Sequence, residues 1–310
     1  MCKMVLGIDT SNYTTSAALF DGETVRQNKQ LLPVAAGEKG LRQSDAVFAH
    51  VRQIAGVAAP LWESQPELTA VGVSDRPRSA ADSYMPCFLV GVSAAELLGQ
   101  ALHIPVYRFS HQQGHIAAAL FSAGRLDLLE QPFLAFHVSG GTTEAVLVTP
   151  DERGLPQTQT AAQSLDLKAG QLIDRVGVAL GLPFPCGPAV EELALQWPEE
   201  ICLHPSMKGR DCSLSGVQNQ CERLIEQGSS PAYTAAFVLA AVQAALEGMA
   251  RALRAEYPGL PMVFSGGVCA NSLLRRRLSA EFGALFAEPA FSADNAAGIA
   301  VLAQRQRRLL

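Results

Sequence analysis

The chain has 310 residues, of which 48% are hydrophobic and 17% charged, so it can bury a core, and its length favours two domains over one. These values exclude a wholly disordered protein. Twenty-four Lys and Arg against 29 Asp and Glu give a net charge of −5, which argues against coating nucleic acid or membrane through bulk charge. Seven cysteines occur without C-x-x-C spacing, which indicates free thiols in a reducing cytosol and excludes a disulfide scaffold or Cys-ligated zinc site.

The chain also lacks the usual sequence signs of membrane insertion. The apolar run near the N-terminus is interrupted by charge before it could form a signal sequence. No window reaches the roughly 18 uncharged apolar residues of a membrane helix, because the Ala-rich stretch 237–249 is short and contains Glu247. We therefore expect a soluble, cytoplasmic protein with no membrane partner.

The first elements in chain order are two strands, predicted from apolar runs at 5–8 and 16–20 on either side of a polar turn. A helix is predicted next from Ser44 or Asp45 to about Trp62. Its expected buried face consists of Phe48, Val51, Ile54, Val57 and Leu61.

The rest of the chain alternates strand and helix patterns. Further strands are predicted at 68–73, 103–107, 133–138, 145–148 and 261–264, and further helices at 88–98, 167–180, 234–255, 271–282 and from 296 onward. The strand, small polar loop and strand at 133–148 repeat the N-terminal pattern, which indicates an internal duplication. The alternation predicts an α/β architecture with mixed sheets and two packed lobes with a cleft between them.

Three loops carry the residues that a nucleotide site needs. Ser139–Thr143 offers backbone N–H groups without Cβ obstruction, although such a loop alone is more often an ordinary turn. In the equivalent loop of the first half, Asp9 could hold a metal-bound water or a nucleophile, or only stabilise the turn. Gly266 and Gly267 lead a strand into a helix that Asn271 would cap by default, or else Asn271 would bond a sugar or base.

The sequence excludes the two commonest nucleotide motifs. It has neither G-x-x-x-x-G-K-[ST] nor G-x-G-x-x-G, so a P-loop and a Rossmann site are excluded. The Gly-bearing loops instead predict a nucleotide shared between two lobes.

His111 and His115 lie one helical turn apart, a spacing that can chelate one transition metal. Gln112 stands where a zinc protease of the H-E-x-x-H type has its general base, so proteolysis by that mechanism is disfavoured. Asp294 is the best candidate for a third ligand, and capping of the last helix is an equally good explanation of this residue. Clusters of Arg at 275–277 and at 305, 307 and 308 are more often solvated faces than contacts to RNA.

Taken in order, these motifs resemble the TsaD family, the bacterial tRNA threonylcarbamoyltransferases formerly called O-sialoglycoprotein endopeptidases. The resemblance spans nearly the whole chain and rests on Gly7-Ile8-Asp9-Thr10-Ser11, His111-x-x-Gly114-His115, Val138-Ser139-Gly140-Gly141-Thr142, Ala169-Gly170-x-x-x-Asp174, Asp211-x-Ser213-x-Ser215-Gly216, Gly266-Gly267-Val268-x-Ala270-Asn271 and Asp294-Asn295. It implies a duplicated actin-like, sugar-kinase-like (ASKHA) ATPase fold with a nucleotide in the cleft between the lobes. The expected lobes are 1–106, with the helix at about 295–310 packed back on it, and 107–294.

The resemblance also implies a reaction and its ligands. The family transfers a threonylcarbamoyl group from its AMP adenylate to N6 of adenosine 37 in tRNA, and works with partner proteins. His111, His115 and Asp294 match the ligands of one divalent metal ion, iron or zinc. Asp9 is a candidate catalytic residue. The residues that match or adjoin the positions where the family binds ATP or threonylcarbamoyl-AMP are His137, Val138, Ser139, Gly140, Gly141, Asp174, Gly187, Gly266, Gly267 and Asn271.

Several positions depart from the family pattern. Tyr13 and Thr14 replace an acidic pair, residues 83–88 replace a Gly-Pro-Gly-Leu loop, Thr142 replaces a histidine, Cys186 replaces a glycine, and 40–45 replaces a Pro-Glu-bearing stretch. These changes favour a divergent paralogue with an altered acceptor side. The alternatives are a non-catalytic nucleotide- and metal-binding scaffold, and less favourably a metalloprotease or a small-molecule kinase.

Overall fold

The computed structural model describes residues 3–11, 13–33, 41–80 and 82–309. It divides into two compact units. Unit 1 comprises Met1–Gln131, Thr149–Gln157 and Ala290–Leu310, and unit 2 comprises Pro132–Val148 and Thr158–Pro289. Asn12 of the first loop and Gly40 of the departing stretch 40–45 lie outside the described residues.

Unit 1 is built on a five-stranded sheet. Its strands are β1 (Lys3–Ser11), β2 (Thr14–Phe20), β3 (Val25–Leu31), β4 (Glu67–Arg76) and β5 (Val106–Ser110), in the order β3-β2-β1-β4-β5. β1 pairs antiparallel with β2 and parallel with β4. Its helices are α1 (Gln43–Trp62), α2 (Phe88–Leu102), α3 (His111–Ser122), and later in the chain α9 (Pro289–Ser292, which begins in unit 2) and α10 (Ala297–Leu309).

The alternation of side chains along the strands explains how the helices of unit 1 are arranged. Leu6 and Ile8 of β1 pack in one cluster with residues of α1 and α2. Gly7, between them, lies against α10, where a Cβ would come within 3 Å of Ala300. Because successive strand residues point to opposite faces, β1 is buried on both sides.

Unit 2 repeats the same plan. Its sheet comprises β6 (Phe133–Val138), β7 (Thr143–Pro150), β8 (Pro156–Gln163), β11 (Met262–Ser265) and β12 (Leu285–Phe286), in the order β12-β11-β6-β7-β8. In both units the first strand lies between the second and the fourth, so the structure supports the expected duplication. The other elements are β9 (Ser206–Lys208), β10 (Asp211–Ser213), α4 (Ala169–Ala179), α5 (Gly187–Ala194), α6 (Ser215–Glu226), α7 (Pro231–Glu256) and α8 (Ser272–Phe282).

The helix α7 supplies much of the core of unit 2. It is long and apolar enough to cross a membrane by length and composition, and 61% of its most apolar window is buried inside the protein. Thirteen of its residues are buried, including Leu246, Met249 and Leu253. This burial is typical of the central helix of a packed α/β unit.

The division of the chain differs from the expected one. Residues 107–131, 149–157 and 290–294, all expected in the second lobe, belong to unit 1. The reason is that α3 packs closely on α10: a Cβ at Gly298 would overlap the carbonyl oxygen of Gly114. Only glycine at this crossing lets the two backbones approach.

The buried face of α1 also differs from its prediction. Val57 and Leu61 are buried as expected, but Phe48 and Val51 are 64% and 59% exposed. The helix instead turns Ala46, Ala49 and His50 inward. Polar contacts hold His50 in this orientation, because its ring nitrogens lie 2.7 Å from Thr15 Oγ1 and 2.9 Å from the Ser11 carbonyl oxygen.

Candidate functional site

A capping box fixes the start of the helix that carries the two histidines. Ser110 is the last residue of β5, and its Oγ accepts a hydrogen bond from the Gln113 backbone N–H at 3.2 Å. The Gln113 side chain in turn accepts from the Ser110 N–H at 2.8 Å. The helix therefore begins at His111, and His115 follows one turn later on the same face.

The structure brings His111, His115 and Asp294 together within unit 1. The two Nε2 atoms lie 2.9 Å apart, and Asp294 Oδ1 lies 3.5 Å from His111 Nε2 and 3.3 Å from His115 Nε2. One potential ligand atom from each residue lies within 4.8 Å of the others. Three donor atoms that converge in this way can bind one transition-metal ion.

Capping does not explain Asp294. The side chain of Asn295 accepts a hydrogen bond from the Ala297 N–H at 3.0 Å, so Asn295 caps the start of α10. The carboxylate of Asp294 is left to face the histidines. The sequence left the role of Asp294 open because Asp is a good capping residue.

Asp9 approaches the opposite side of the His111 ring. It is fully buried, and its Oδ2 lies 3.0 Å from His111 Nδ1. Ser74 Oγ donates a hydrogen bond to its Oδ1. A carboxylate on the second ring nitrogen fixes the orientation and tautomer of a metal-binding histidine, so Asp9 orients His111 through direct contact with the ring.

The two carboxylates change the proton affinity of His111. Burial opposes protonation of the ring, but Asp9 and Asp294 outweigh it and raise the pKa of His111 to about 10. For Asp294, burial favours the neutral acid, but hydrogen bonds from His111 and His115 and their charge hold the pKa well below its usual range. The cluster without metal therefore carries a proton at neutral pH that a metal ion would displace.

Two of the departing segments lie close to this cluster. Thr14 Oγ1 donates a hydrogen bond to Asp294 Oδ2 at 3.2 Å. Phe88, which ends the segment 83–88, is buried with its ring centroid 6.1 Å from that of His111. Thr10 Oγ1 anchors the same segment by donating to the Cys87 carbonyl oxygen at 3.0 Å.

The second set of expected residues surrounds a pocket in unit 2. The pocket has a volume of about 510 Å³. Its lining includes Gly140, Asp174, Gly187, Gly267 and Asn271, all expected from the sequence. Gly170, Val268 and Ala270 also line it and belong to motifs quoted above. No signal in the sequence pointed to the remaining lining residues, which are apolar or ordinary helix residues: Ile173, Pro185, Pro188, Glu191 and Leu239.

The five remaining expected residues of this unit do not line the pocket. Val138, Ser139, Gly141, Gly266 and His137 are absent from its lining. Gly266 has a φ of +99°, and a Cβ there would overlap the Val138 carbonyl oxygen. His137 Nδ1 lies 3.2 Å from Ser265 Oγ on the neighbouring strand.

The turn after β6 brings its backbone against the start of α4. The Ser139 N–H donates to the Thr142 carbonyl oxygen at 2.7 Å, and the Gly170 N–H donates to the Ser139 carbonyl oxygen at 3.2 Å. A Cβ on Gly170 would lie 2.6 Å from the Gly140 nitrogen, too close for any side chain. Glycine at 170 allows the loop to pack directly on the start of α4, and Gly140 of this loop stays exposed at the pocket.

Several polar groups of the pocket already have protein partners. Asn271 Oδ1 accepts a hydrogen bond from the Leu274 N–H at 3.1 Å, which confirms its role as the cap of α8. Asp174 Oδ1 accepts from the Cys186 N–H at 2.8 Å and so fixes the loop before α5. Burial and the nearby Asp174 raise the pKa of the Cys186 thiol.

The basic clusters are partly neutralised by neighbouring groups of the protein. Arg277 forms an ion pair with Glu247 at 3.3 Å, and Arg305 approaches Glu130 at 3.5 Å. The guanidinium of Arg275 lies 5.1 Å from the ring centroid of Phe286. These contacts agree with solvated, ion-paired surfaces.

Comparison with known proteins decides the family. The family model described as TsaD, tRNA N6-adenosine threonylcarbamoyltransferase, matches residues 64–301. The chain belongs to the TsaD family. It is 31% identical over 325 residues to the tRNA N6-adenosine threonylcarbamoyltransferase of Brucella anthropi, with 96% of this chain and 88% of that protein covered.

Solved structures of low sequence identity share the fold of this TsaD-family member. Full-length HypF in its phosphate- and nucleotide-bound form matches with a TM-score of 0.60 and 14% identity. The match covers 99% of this chain and 46% of HypF. Component A of the (R)-2-hydroxyglutaryl-CoA dehydratase of Acidaminococcus fermentans matches with a TM-score of 0.54 and 14% identity, over 99% of both chains. A ROK family glucokinase from Streptomyces griseus matches with a TM-score of 0.51 and 14% identity, over 97% of this chain and 99% of the glucokinase. The expected actin-like, sugar-kinase-like fold is therefore confirmed.

Proposed function

We propose that this chain is an active transferase that moves a threonylcarbamoyl group from its AMP adenylate to N6 of adenosine 37 in tRNA. The observation that carries the proposal is the convergence of His111, His115 and Asp294, with Asp9 behind His111. Within this cluster His111 and Asp294 have strongly shifted pKa values, and groups of that kind occur preferentially at functional sites. Family membership gives the reaction to which the cluster would contribute.

The donor set of the cluster fits a divalent metal ion. Two imidazole nitrogens and one carboxylate oxygen suit both zinc and iron, and three protein ligands leave positions for substrate. When bound, the metal would supply Lewis-acid polarisation of a phosphoryl or carbonyl oxygen. His111, His115 and Asp294 would hold it, and Asp9 would orient His111 without contacting substrate.

The pocket of unit 2 supports the binding of ATP or the adenylate. Gly140 and Gly267 expose backbone where a phosphate can approach, and apolar side chains such as Leu239 line the remainder. A mixed lining of this kind suits a nucleoside joined to a phosphate. We therefore assign nucleotide binding to unit 2 and metal binding to unit 1.

The reaction balances with little covalent chemistry from the protein. The N6 amine attacks the carbamoyl carbon of the adenylate, a C–N bond forms, and the bond from that carbon to the phosphate oxygen breaks. AMP leaves with the electron pair, and N6 loses one proton to solvent. The contribution of the protein is to orient the adenylate and stabilise the charge that develops on the phosphate.

The proposal includes the partners and the compartment. The net charge of −5 leaves tRNA binding to depend on local basic patches or on partner proteins of a threonylcarbamoylation complex. The six described cysteines that are free thiols agree with a reducing cytoplasm.

A transfer assay tests the proposal. Metal-loaded protein, supplied with partner proteins of the family, is incubated with tRNA and threonylcarbamoyl-AMP labelled in the threonine, and label in tRNA is measured. We expect incorporation that His111→Ala abolishes. ATP binding without incorporation into any tRNA would contradict the proposal and favour the scaffold alternative, which the neutral Tyr13 and Thr14 make the second candidate.

A further inference from the structure

Thr14, like Asp9, contacts the metal cluster without being one of its three candidate ligands. Thr14 Oγ1 lies 3.2 Å from Asp294 Oδ2, while the two histidines face the other oxygen, Oδ1. The two oxygens of one carboxylate thus have different partners. We propose that Thr14 is a positioning residue that holds Asp294 so that a single oxygen, Oδ1, binds the metal.

The backbone of Thr14 is fixed on both sides. It pairs with Ser11 of β1 and with Leu31 of β3, and the Tyr13 carbonyl oxygen accepts a hydrogen bond from the Leu32 N–H at 2.8 Å. Thr14 is only 3% exposed. The sheet therefore fixes the position of the hydroxyl, and metal binding does not have to order it.

The residues next to Thr14 are held from α1. His50 contacts both the Ser11 carbonyl oxygen and the Thr15 hydroxyl, and Thr15 Oγ1 also donates to Gln53 Oε1 at 2.9 Å. These contacts leave Thr14 Oγ1 facing Asp294. Since Thr14 and Asp294 are 280 positions apart in the chain, the contact exists only in the folded protein.

The chemistry of the hydroxyl explains the effect on the metal. A hydroxyl that donates to Oδ2 competes with any cation for that oxygen, so bidentate coordination by Asp294 is disfavoured. Coordination through Oδ1 alone leaves more of the metal surface for substrate oxygens. Substitution of a residue that supports a metal ligand in this way typically lowers metal affinity by about 10–100-fold.

The inference rests on the proposed metal site, and metal binding itself tests it. Zn²⁺ affinity is measured by titration for the full chain and for Thr14→Val, Thr14→Ser and Thr69→Val. Thr69 is the matched control, because its hydroxyl donates to the Met4 carbonyl oxygen within the same sheet at 3.1 Å. We expect Thr14→Val to weaken Zn²⁺ binding by about tenfold, and Thr14→Ser and Thr69→Val to stay near the unmodified protein.

The absorption spectrum of bound Co²⁺ supplies a readout that a loss of packing would not change in the same way. We expect Thr14→Val to alter the visible bands, since Oδ2 becomes free to coordinate, and Thr14→Ser to restore them. Unchanged Zn²⁺ affinity and spectrum in a folded Thr14→Val variant would overturn the inference. So would equal losses in Thr14→Ser, equal losses in Thr69→Val, or no Zn²⁺ binding by the unmodified protein.

This experiment separates the inference from the proposed function. A protein that binds Zn²⁺ in a Thr14-dependent manner but transfers nothing to tRNA would retain the positioning role and lose the transferase assignment. A protein that transfers the group to tRNA, but whose Zn²⁺ affinity does not depend on Thr14, would retain the transferase assignment and lose the positioning role.

Discussion

The two units share a strand order but build their candidate sites from different parts of the chain. In unit 1 the end of β1 and the start of β2 contribute side chains, Asp9 and Thr14, that contact a cluster of imidazole and carboxylate groups. In unit 2 the turn after the first strand contributes backbone, which Gly170 and Gly266 allow to pack closely. Duplication thus supplied two equivalent positions, and the residue types placed there determine whether the position suits a cation or a nucleotide.

The largest expected effect tests whether the side chains of unit 1 make the metal site. The double substitution His111→Ala and His115→Ala removes two of three donors, so we expect Zn²⁺ affinity to fall by at least about 100-fold. Elemental analysis after dialysis and titration measure the loss. His204→Ala, which removes an exposed imidazole of unit 2, serves as the control and should bind normally.

Proton release provides the second test. The pKa of His111 is raised to about 10, and a metal binds only the unprotonated nitrogen, so acid opposes binding. Apparent Zn²⁺ affinity should rise by about tenfold per pH unit from neutral pH until the pH approaches this value, with one proton released per ion. Calorimetry in buffers of different ionisation enthalpy counts the proton.

The pH dependence has its own control. Asp9→Asn removes a charge that raises the pKa of His111, so the pH at which the affinity stops rising should be lower than in the unmodified protein. The same levelling-off pH in the two proteins would contradict the assignment of the proton to His111.

A smaller effect tests the backbone-built pocket of unit 2. In Gly170→Ala the new Cβ meets the backbone of Gly140 and Ser139, which cannot move aside as a flexible side chain can. We expect the free energy of unfolding to fall by about 1–3 kcal/mol. We also expect ATP to bind about tenfold more weakly, which corresponds to a loss of about 1.4 kcal/mol in the free energy of binding. Thermal unfolding and calorimetric titration measure the two quantities.

Gly56 of α1 offers the matched comparison. A Cβ there meets nothing within 4 Å, so Gly56→Ala should leave ATP binding unchanged and raise stability by about 0.5–1 kcal/mol. Equal losses in both variants would show that the close approach at Gly170 has no special role.

The smallest expected effect concerns Asn271, whose side chain already caps α8. Asn271→Ala should lower the free energy of unfolding by about 1 kcal/mol, and Asn271→Ser should retain most of it. Metal affinity should not change in either variant. If Asn271→Ser keeps stability but loses ATP binding, the side chain contacts the nucleotide directly and the pocket is not built from backbone alone.

Local signals in the sequence predicted most elements and many site residues. The spacing of His111 and His115 predicted that both lie on one helix face, and the Gly-rich pattern predicted the loops that meet in unit 2. Local signals failed for α1, where Phe48 and Val51 fit the helical periodicity but are exposed. Periodicity shows which residues share a face and cannot show which face meets the sheet.

The sequence by itself determined the α/β alternation, the duplicated strand pattern and the types of residue available for metal and phosphate binding, since all of these depend on neighbours within a few positions. Only the tertiary structure decided that Asp9 approaches His111, that Asn295 and not Asp294 caps α10, and that Thr14 contacts Asp294. The partners of His111 and Asp294 come from distant segments. Their meeting depends on the close packing of α3 on α10 and on strand pairing, which no local pattern encodes.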